Sequence, residues 1–357
     1  MKPRHFHTIS GFNLALPLFF PDATRAVVKC LDSKDIELTR TPCILVNSFH
    51  LTTNPGISII KKHGGIRNYM SWNGGIISDS GGFQIFSLSK AVTDRGVSLG
   101  KKLFSPQMSI QIQMDMKTDL VVVLDDFTSP KANRSQARES ILRTLKWAEI
   151  CKKEFEPICR QKKLTKGRTP YIIGVVQGGD YLDLRKECTK ELVKIGFDGL
   201  SFGGWPIQAN GQFNYPISDV IRQYTPNNYF LYGLGVGKPD EIVNLVKSGW
   251  QIFDCVLPTR DARHQRLYVY NSDTIDNIDI NQSKFYSFFT PNKNIYYQDQ
   301  QPVSRACDCL LCSKYSRSYL AHLFRIGEMT AGRLATIHNL RFYSLLMEKL
   351  QSVYGSD

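Results

Sequence analysis

The sequence has no long hydrophobic run. Its most apolar early stretch, residues 12–20, is too short to cross a bilayer and contains Pro17. No basic segment followed by an apolar core and a small-residue cleavage site opens the chain, so neither a membrane span nor a secretory leader is expected. The reading is of a cytoplasmic protein. Acidic residues are also short: 32 Asp and Glu stand against 45 Lys and Arg, a net charge of +13. That excess favours a polyanionic partner, because each neutralised phosphate releases counterions. It does not separate RNA from DNA, and a protein that is merely basic is the alternative. No long internal repeat or low-complexity tract is present. Nor is there a disulfide framework: Cys30, Cys43, Cys151, Cys159, Cys188 and Cys255 are scattered, several in apolar surroundings that suit a buried thiol. What remains is 42% hydrophobic and 22% charged, ample for the core of a soluble globular protein.

Short apolar runs recur along the chain with helical segments between them. Candidate strands are residues 16–20, 43–47, 75–79, 119–125, 171–177, 199–203, 229–235 and 251–256, rich in the Ile, Val, Leu, Phe and Tyr expected of strands buried on both faces. Residues 135–154 put Ala137, Ile141, Leu145 and Ala148 on one helical face. Helices are also predicted over 182–195 and over 239–248, the latter opening with Pro239, where a missing N–H costs nothing. This alternation predicts an α/β fold, a (β/α)8 TIM barrel over residues 1–270, with a doubly wound open sheet as the runner-up. The polar tract 271–303 leads into a small C-terminal zinc-binding subdomain, 271–357. Polar residues gather at the C-terminal ends of the strand candidates: Asn47 and His50, Asp79, Asp125 and Asp126, Gln177, Gly203 and Gly204, Gly235 and Gly237, and Asp254. A (β/α)8 enzyme keeps its active site at that end.

Cys307, Cys309 and Cys312 form a tight thiolate cluster, followed at a distance by His338 in a predicted amphipathic helix over 331–344. Three soft thiolates and one imidazole match tetrahedral Zn²⁺, with His322 a rival fourth ligand on spacing alone. A site with no open coordination position is structural, stabilising the subdomain without entering the chemistry.

Asp79, in Ser78-Asp-Ser-Gly-Gly-Phe-Gln84, and Asp254, in Phe253-Asp-Cys-Val-Leu-Pro-Thr-Arg260, each follow an apolar run. Acids placed there are desolvated unless partnered, which makes them candidates for chemistry, although either is also a candidate helix N-cap. Paired carboxylates around an anomeric carbon are the equipment of glycosyl transfer. Phe83 offers a flat face for a base, and Gln177 a donor–acceptor pair for an amide-like edge. Arg260, Arg263 and Arg266 recur every three residues beyond Asp254, where guanidinium groups could hold phosphates or flanking bases.

These segments resemble the tRNA-guanine transglycosylase family over nearly the whole chain. The matching motifs are His63-Gly-Gly65, Trp72 to Leu88 around Ser78-Asp-Ser-Gly-Gly-Phe-Gln84, Val175-Val-Gln-Gly178, Gly233-Leu-Gly-Val-Gly-Lys-Pro-Asp240, Phe253 to Arg260 and the Cys-x-Cys-x2-Cys-x25-His pattern. The resemblance implies a pentosyltransferase of queuosine modification that exchanges the wobble guanine of tRNA with a GUN anticodon for a 7-deazaguanine base, preQ1 or queuine. It implies Asp254 as nucleophile and Asp79 as acid/base residue. Phe83 would stack on the base, with Leu234 and Gly235 on its other side, while Asp125, Gln177 and Gly204 read its edge. Arg260 and Arg263 would contact the anticodon loop, and the enzyme would act as a homodimer. Two departures stand out: Asp126-Phe127 where bacterial members have Glu-Cys, and Trp205-Pro206-Ile207 after Gly204. A DNA-acting deazaguanine transglycosylase and a non-catalytic tRNA-binding subunit are the alternatives.

Overall fold

Eight short parallel strands form the centre of the molecule. The computed structural model describes residues 2–81, 91–99, 102–165, 167–208 and 210–355, so Phe83 lies outside the described residues. The strands are β1 (Leu18–Pro21), β2 (Cys43–Asn47), β3 (Gly75–Asp79), β4 (Leu120–Val122), β5 (Tyr171–Val176), β6 (Gly199–Phe202), β7 (Phe230–Gly233) and β8 (Ile252–Cys255). Every neighbouring pair from β2 through β8 is parallel, and β8 pairs in turn with β1. The ring closes just past β1, through a parallel bridge between Asp22 and Leu45 and hydrogen bonds from the Ala23 N–H to the Leu45 carbonyl at 2.7 Å and from the Asn47 N–H to the Thr24 carbonyl at 3.3 Å. The sheet is therefore a nearly closed barrel rather than a doubly wound open sheet. β1 through β7 carry almost no exposed side chains, as expected when helices cover the outside and packed side chains fill the inside.

β2 and β3 match the predicted 43–47 and 75–79, while most of the other strand limits are tighter than the sequence predicts, for local reasons. β1 starts after Pro17, which has no N–H to give the ladder. β4 starts after Asp119, whose buried carboxylate accepts from the Ile9 and Ile76 N–H groups at 2.8 and 2.7 Å and pairs with Arg67 at 2.9 Å. β7 stops at Gly233 because Gly235 turns the chain at φ +75°. The helix predicted over 135–154 runs further, Arg134–Gln161, opened by a capping box between Asn133 and Gln136. Helices Leu182–Ile195 and Pro239–Lys247 match their predicted spans to within a residue.

At the N-terminal end of the barrel, strands His5–His7 and Asn13–Ala15 pair antiparallel, and the fully buried Phe6 packs on Phe20, Tyr171 and Phe230. That end is plugged, leaving the C-terminal end as the open mouth. Beyond β8 come helix Leu257–Arg263, a hairpin of Leu267–Tyr270 with Tyr286–Phe289 that straddles position 270, and helices Leu310–Lys314, Arg317–Arg325 and Met329–Tyr354. The last of these returns across the barrel. Tyr343 donates to the Gly237 carbonyl at 2.6 Å, Ser344 to that of Thr39 at 2.6 Å, and Gln351 to those of Ala15 and Pro17 at 2.9 Å. Among the described residues no helix is long and apolar enough to cross a membrane.

Candidate active site at the barrel mouth

Strand register brings the polar strand ends together. Asn47 and Asp79 end β2 and β3 side by side, and the Asn47 amide donates to Asp79 Oδ2 at 2.8 Å. The backbone N–H groups of Ser80 and Gly81 also stabilise that carboxylate, but burial outweighs them and pushes Asp79 up to about 6. Across the mouth, Asp254 on β8 sits in register with Phe20 on β1. Its Oδ1 accepts two hydrogen bonds, from the Tyr232 hydroxyl of β7 at 2.7 Å and from the Gly235 N–H at 2.9 Å. Among the described residues Oδ2 accepts none. Burial raises Asp254 to about 7 against both donors, with Asp79 and Asp22 adding negative charge nearby.

The third acid, Asp125, lies three residues past β4. Gln177, fully buried directly after β5, donates Nε2–H to Asp125 Oδ2 at 2.6 Å and accepts the Thr128 N–H on Oε1 at 3.1 Å. Both ends of the amide are thus assigned by their partners. Burial lifts Asp125 to about 7, with Gln177 opposing and the charges of Asp79 and Asp126 adding to the rise. Asp126 turns the other way. Its buried carboxylate meets Arg143 at 2.7 Å, so of the acid pair only Asp125 faces the mouth.

Gly204 follows β6 at φ +79°, and a side chain there would press on Arg185 and on Gln177 Oε1, each 3.2 Å from the added carbon. Leu234 is half-buried and Gly235 exposed to open space, where an added carbon would meet nothing within 4 Å. The mouth thus offers carboxylates, an oriented amide and two left-handed glycines around one opening. It suits a flat polar ligand attached to a sugar.

Away from the mouth, Cys307, Cys309, Cys312 and His338 converge, with their ligand atoms within 4.8 Å of one another. His338 Nδ1 lies 3.7, 3.5 and 3.3 Å from the three sulfurs. A tetrahedral ion with metal–sulfur bonds of about 2.3 Å and a metal–nitrogen bond of about 2.0 Å separates nitrogen from sulfur by roughly 3.5 Å, so the four groups fit a metal ion. His338 Nε2–H donates to the Tyr268 carbonyl at 2.7 Å, which leaves Nδ1 unprotonated toward the sulfurs. His322 lies on helix Arg317–Arg325 and is not one of the four.

The model of the family described as Queuine tRNA-ribosyltransferase matches residues 5–353. The chain belongs to that family. It is 37% identical over 343 residues to the queuine tRNA-ribosyltransferase of Acinetobacter baumannii strain SDF, covering 94% of this chain and 85% of the relative. It is 37% identical over 359 residues to that of Psychrobacter sp. strain PRwf-1, covering 98% and 89%. A relative of the same name from Blochmanniella pennsylvanica is 38% identical, covering 94% and 87%.

In this ribosyltransferase chain the arginines after Asp254 divide. Arg260 is exposed and Arg263 half-buried on helix Leu257–Arg263, one Arg263 guanidinium nitrogen having no hydrogen-bond partner among the described residues. Arg266 instead covers the Phe288 ring at 3.6 Å. Trp205 is the exposed tryptophan, at 48%, while Trp72, Trp147 and Trp250 are buried. Sequence reasoning missed Tyr232, the hydroxyl that holds Asp254, because within Phe230-Leu-Tyr-Gly233 it reads as one more strand aromatic. It also missed Asp22, which bridges the ring closure and adds charge near both Asp79 and Asp254. Only its place directly after an apolar run signals it.

Proposed function

We propose that this protein exchanges the wobble guanine of tRNA bearing a GUN anticodon for a 7-deazaguanine through a covalent ribosyl-aspartate. The observation that carries the reading is the unequal pair of oxygens on Asp254. Oδ1 is held by two donors while Oδ2 meets none among the described residues, as an oriented nucleophile requires. Oδ2 attacks ribose C1′, the C1′–N9 bond breaks, and its electron pair leaves with guanine. Asp79 supplies a proton to the departing base. A 7-deazaguanine then enters the same pocket, gives its proton to Asp79 and attacks C1′ through the equivalent ring nitrogen, releasing the Asp254 carboxylate. Two inversions retain configuration, and no nucleotide cofactor is consumed. Burial to about 6 suits Asp79 to move protons near neutral pH.

In this scheme Asp125, Gln177 and Gly204 read the edge of the base, and Phe83 and Leu234, with Gly235 beside it, enclose its faces. Arg260 and Arg263 hold the anticodon loop. The barrel, residues 1–270, performs the chemistry. Residues 271–357 carry the metal unit and the closing helix, with Zn²⁺ on Cys307, Cys309, Cys312 and His338. Bound there, zinc would cross-link loop and helix and supply no open coordination position. A reducing, cytoplasmic setting suits the thiolate set, and a homodimer on one tRNA completes the proposal.

The test is exchange of labelled guanine into undermodified tRNA and into duplex DNA. Label should enter tRNA alone. Asp254→Asn should lower exchange at least about 1,000-fold and abolish the covalent adduct while leaving tRNA binding within about threefold. Label in DNA alone, or undiminished exchange by the variant, would refute the reading. Competition among preQ1, preQ0 and queuine, read by the mass of the nucleoside formed, identifies the incoming base.

A further inference from the structure

Arg185 is one of the largest fully buried side chains, 1% exposed on the helix that follows β5. Among the described residues no carboxylate lies within ion-pair distance of it. Burial lowers its pKa to about 10, which still leaves it charged at neutral pH. A buried cation without an anion is costly unless fixed dipoles replace its water. Here three backbone carbonyls do so. Arg185 donates to Val176 at 2.6 Å, Gly203 at 2.8 Å and Gly179 at 2.8 Å, and its guanidinium lies over the Phe202 ring at 5.1 Å.

Those carbonyls flank or belong to two loops. One follows β5 and contains Gln177; the other follows β6 and contains Gly204. In a trans peptide the carbonyl and the next N–H share a plane and point in opposite directions. Fixing the Gly203 carbonyl on Arg185 therefore aims the Gly204 N–H away from Arg185, and that N–H makes no hydrogen bond among the described residues. The same guanidinium brackets Gln177 through the carbonyls of Val176 and Gly179. The Gln177 amide, already committed to Asp125 and Thr128, keeps one further N–H on Nε2 that meets no acceptor among the described residues.

We propose that Arg185 is a positioning residue for base selection: it clamps the two loops so that the Gly204 N–H and the free Gln177 N–H converge on the ring carbonyl of a guanine-like base. This rests on the reading that a guanine-type base occupies the mouth. Arg185 itself touches no base. It sets the direction of groups that do, and it explains why a fully buried cation is retained where an apolar side chain would pack more cheaply.

The experiment measures direct binding of guanine and of 2-aminopurine, which lacks the ring oxygen, to the full chain and to Arg185→Met and Arg185→Lys. The unaltered protein should prefer guanine. Arg185→Met should cut that preference by about tenfold, mostly through weaker guanine binding, the scale of one well-made hydrogen bond. Arg185→Lys, which can reach only some of the carbonyls, should fall between. Equal weakening of both bases would mark a purely structural role and overturn the proposal, as would an unchanged preference. Should Arg185→Met fail to fold, an unchanged preference in Arg185→Lys overturns it. A wild-type protein that neither prefers guanine nor exchanges it into tRNA would instead overturn the underlying reading, and the proposal with it.

Discussion

In the proposed reaction Asp254 uses Oδ1 for holding and Oδ2 for attack, and this division makes its neighbours testable. The Tyr232 hydroxyl favours the ionised carboxylate, opposing the burial that lifts Asp254 to about 7. A nucleophile must be ionised, so exchange should fall as pH drops through about 7. Tyr232→Phe removes one stabilising donor and raises the Asp254 pKa further. The acid limb of the rate–pH profile should therefore move to higher pH, and the rate at pH 7 should fall about tenfold. Single-turnover rates across pH 5.5 to about 8.5 check this; a lower rate with an unmoved limb would assign Tyr232 a different part. Asp79 and Asp254 were legible in the sequence because each follows an apolar run. Tyr232 was not, because its value depends on the β7–β8 register, which a linear sequence does not display.

Elements obey the same division between what patterning states and what partners decide. The helices over 182–195 and 239–248 match the structure to within a residue, whereas the one over 135–154 falls seven residues short of its C-terminal end. The C-terminal helix was read short, as 331–344 against Met329–Tyr354, because it is buried around much of its girth and its period is blurred. That helix carries His338 and, three residues on, the buried Arg341, which reaches Asp308 of the cysteine loop at 2.5 Å and Glu348 at 2.7 Å. Loop, candidate metal ligands and helix are thereby one unit. The helix is in turn tied to the barrel through Asn339, Tyr343 and Ser344. Stripping the metal with a chelator should lower the thermal midpoint of the whole chain by roughly 5–10 °C while keeping a single transition. Elemental analysis of the purified protein should find zinc, and two separate unfolding transitions would contradict the coupling.

At the scale of the whole molecule, the net charge of +13 predicts affinity for tRNA that weakens steeply with salt. Arg260 and Arg263 beside Asp254 should account for part of it. Replacing both with Ala should make the slope of log affinity against log salt shallower by about 1, measured by filter binding, without changing guanine binding to the free protein. An unchanged slope would remove them from the tRNA contact. Sequence alternation narrowed the architecture to a barrel or an open sheet and could go no further, since both share the same βα order. The choice lies in the Asp22–Leu45 bridge, a contact that strand content alone does not reveal.

That bridge also says something about how the chain is made. β1 has a full ladder only with β8, four register pairs from Leu18 to Pro21, and the chain joins β2 just beyond it, through Asp22 to Thr24. The carbonyls of Ala15 and Pro17 wait longer still, for Gln351. During synthesis the first barrel strand to leave the ribosome thus stays without its main neighbour until residue 255 has emerged. Its final stitch forms only after residue 351 has followed.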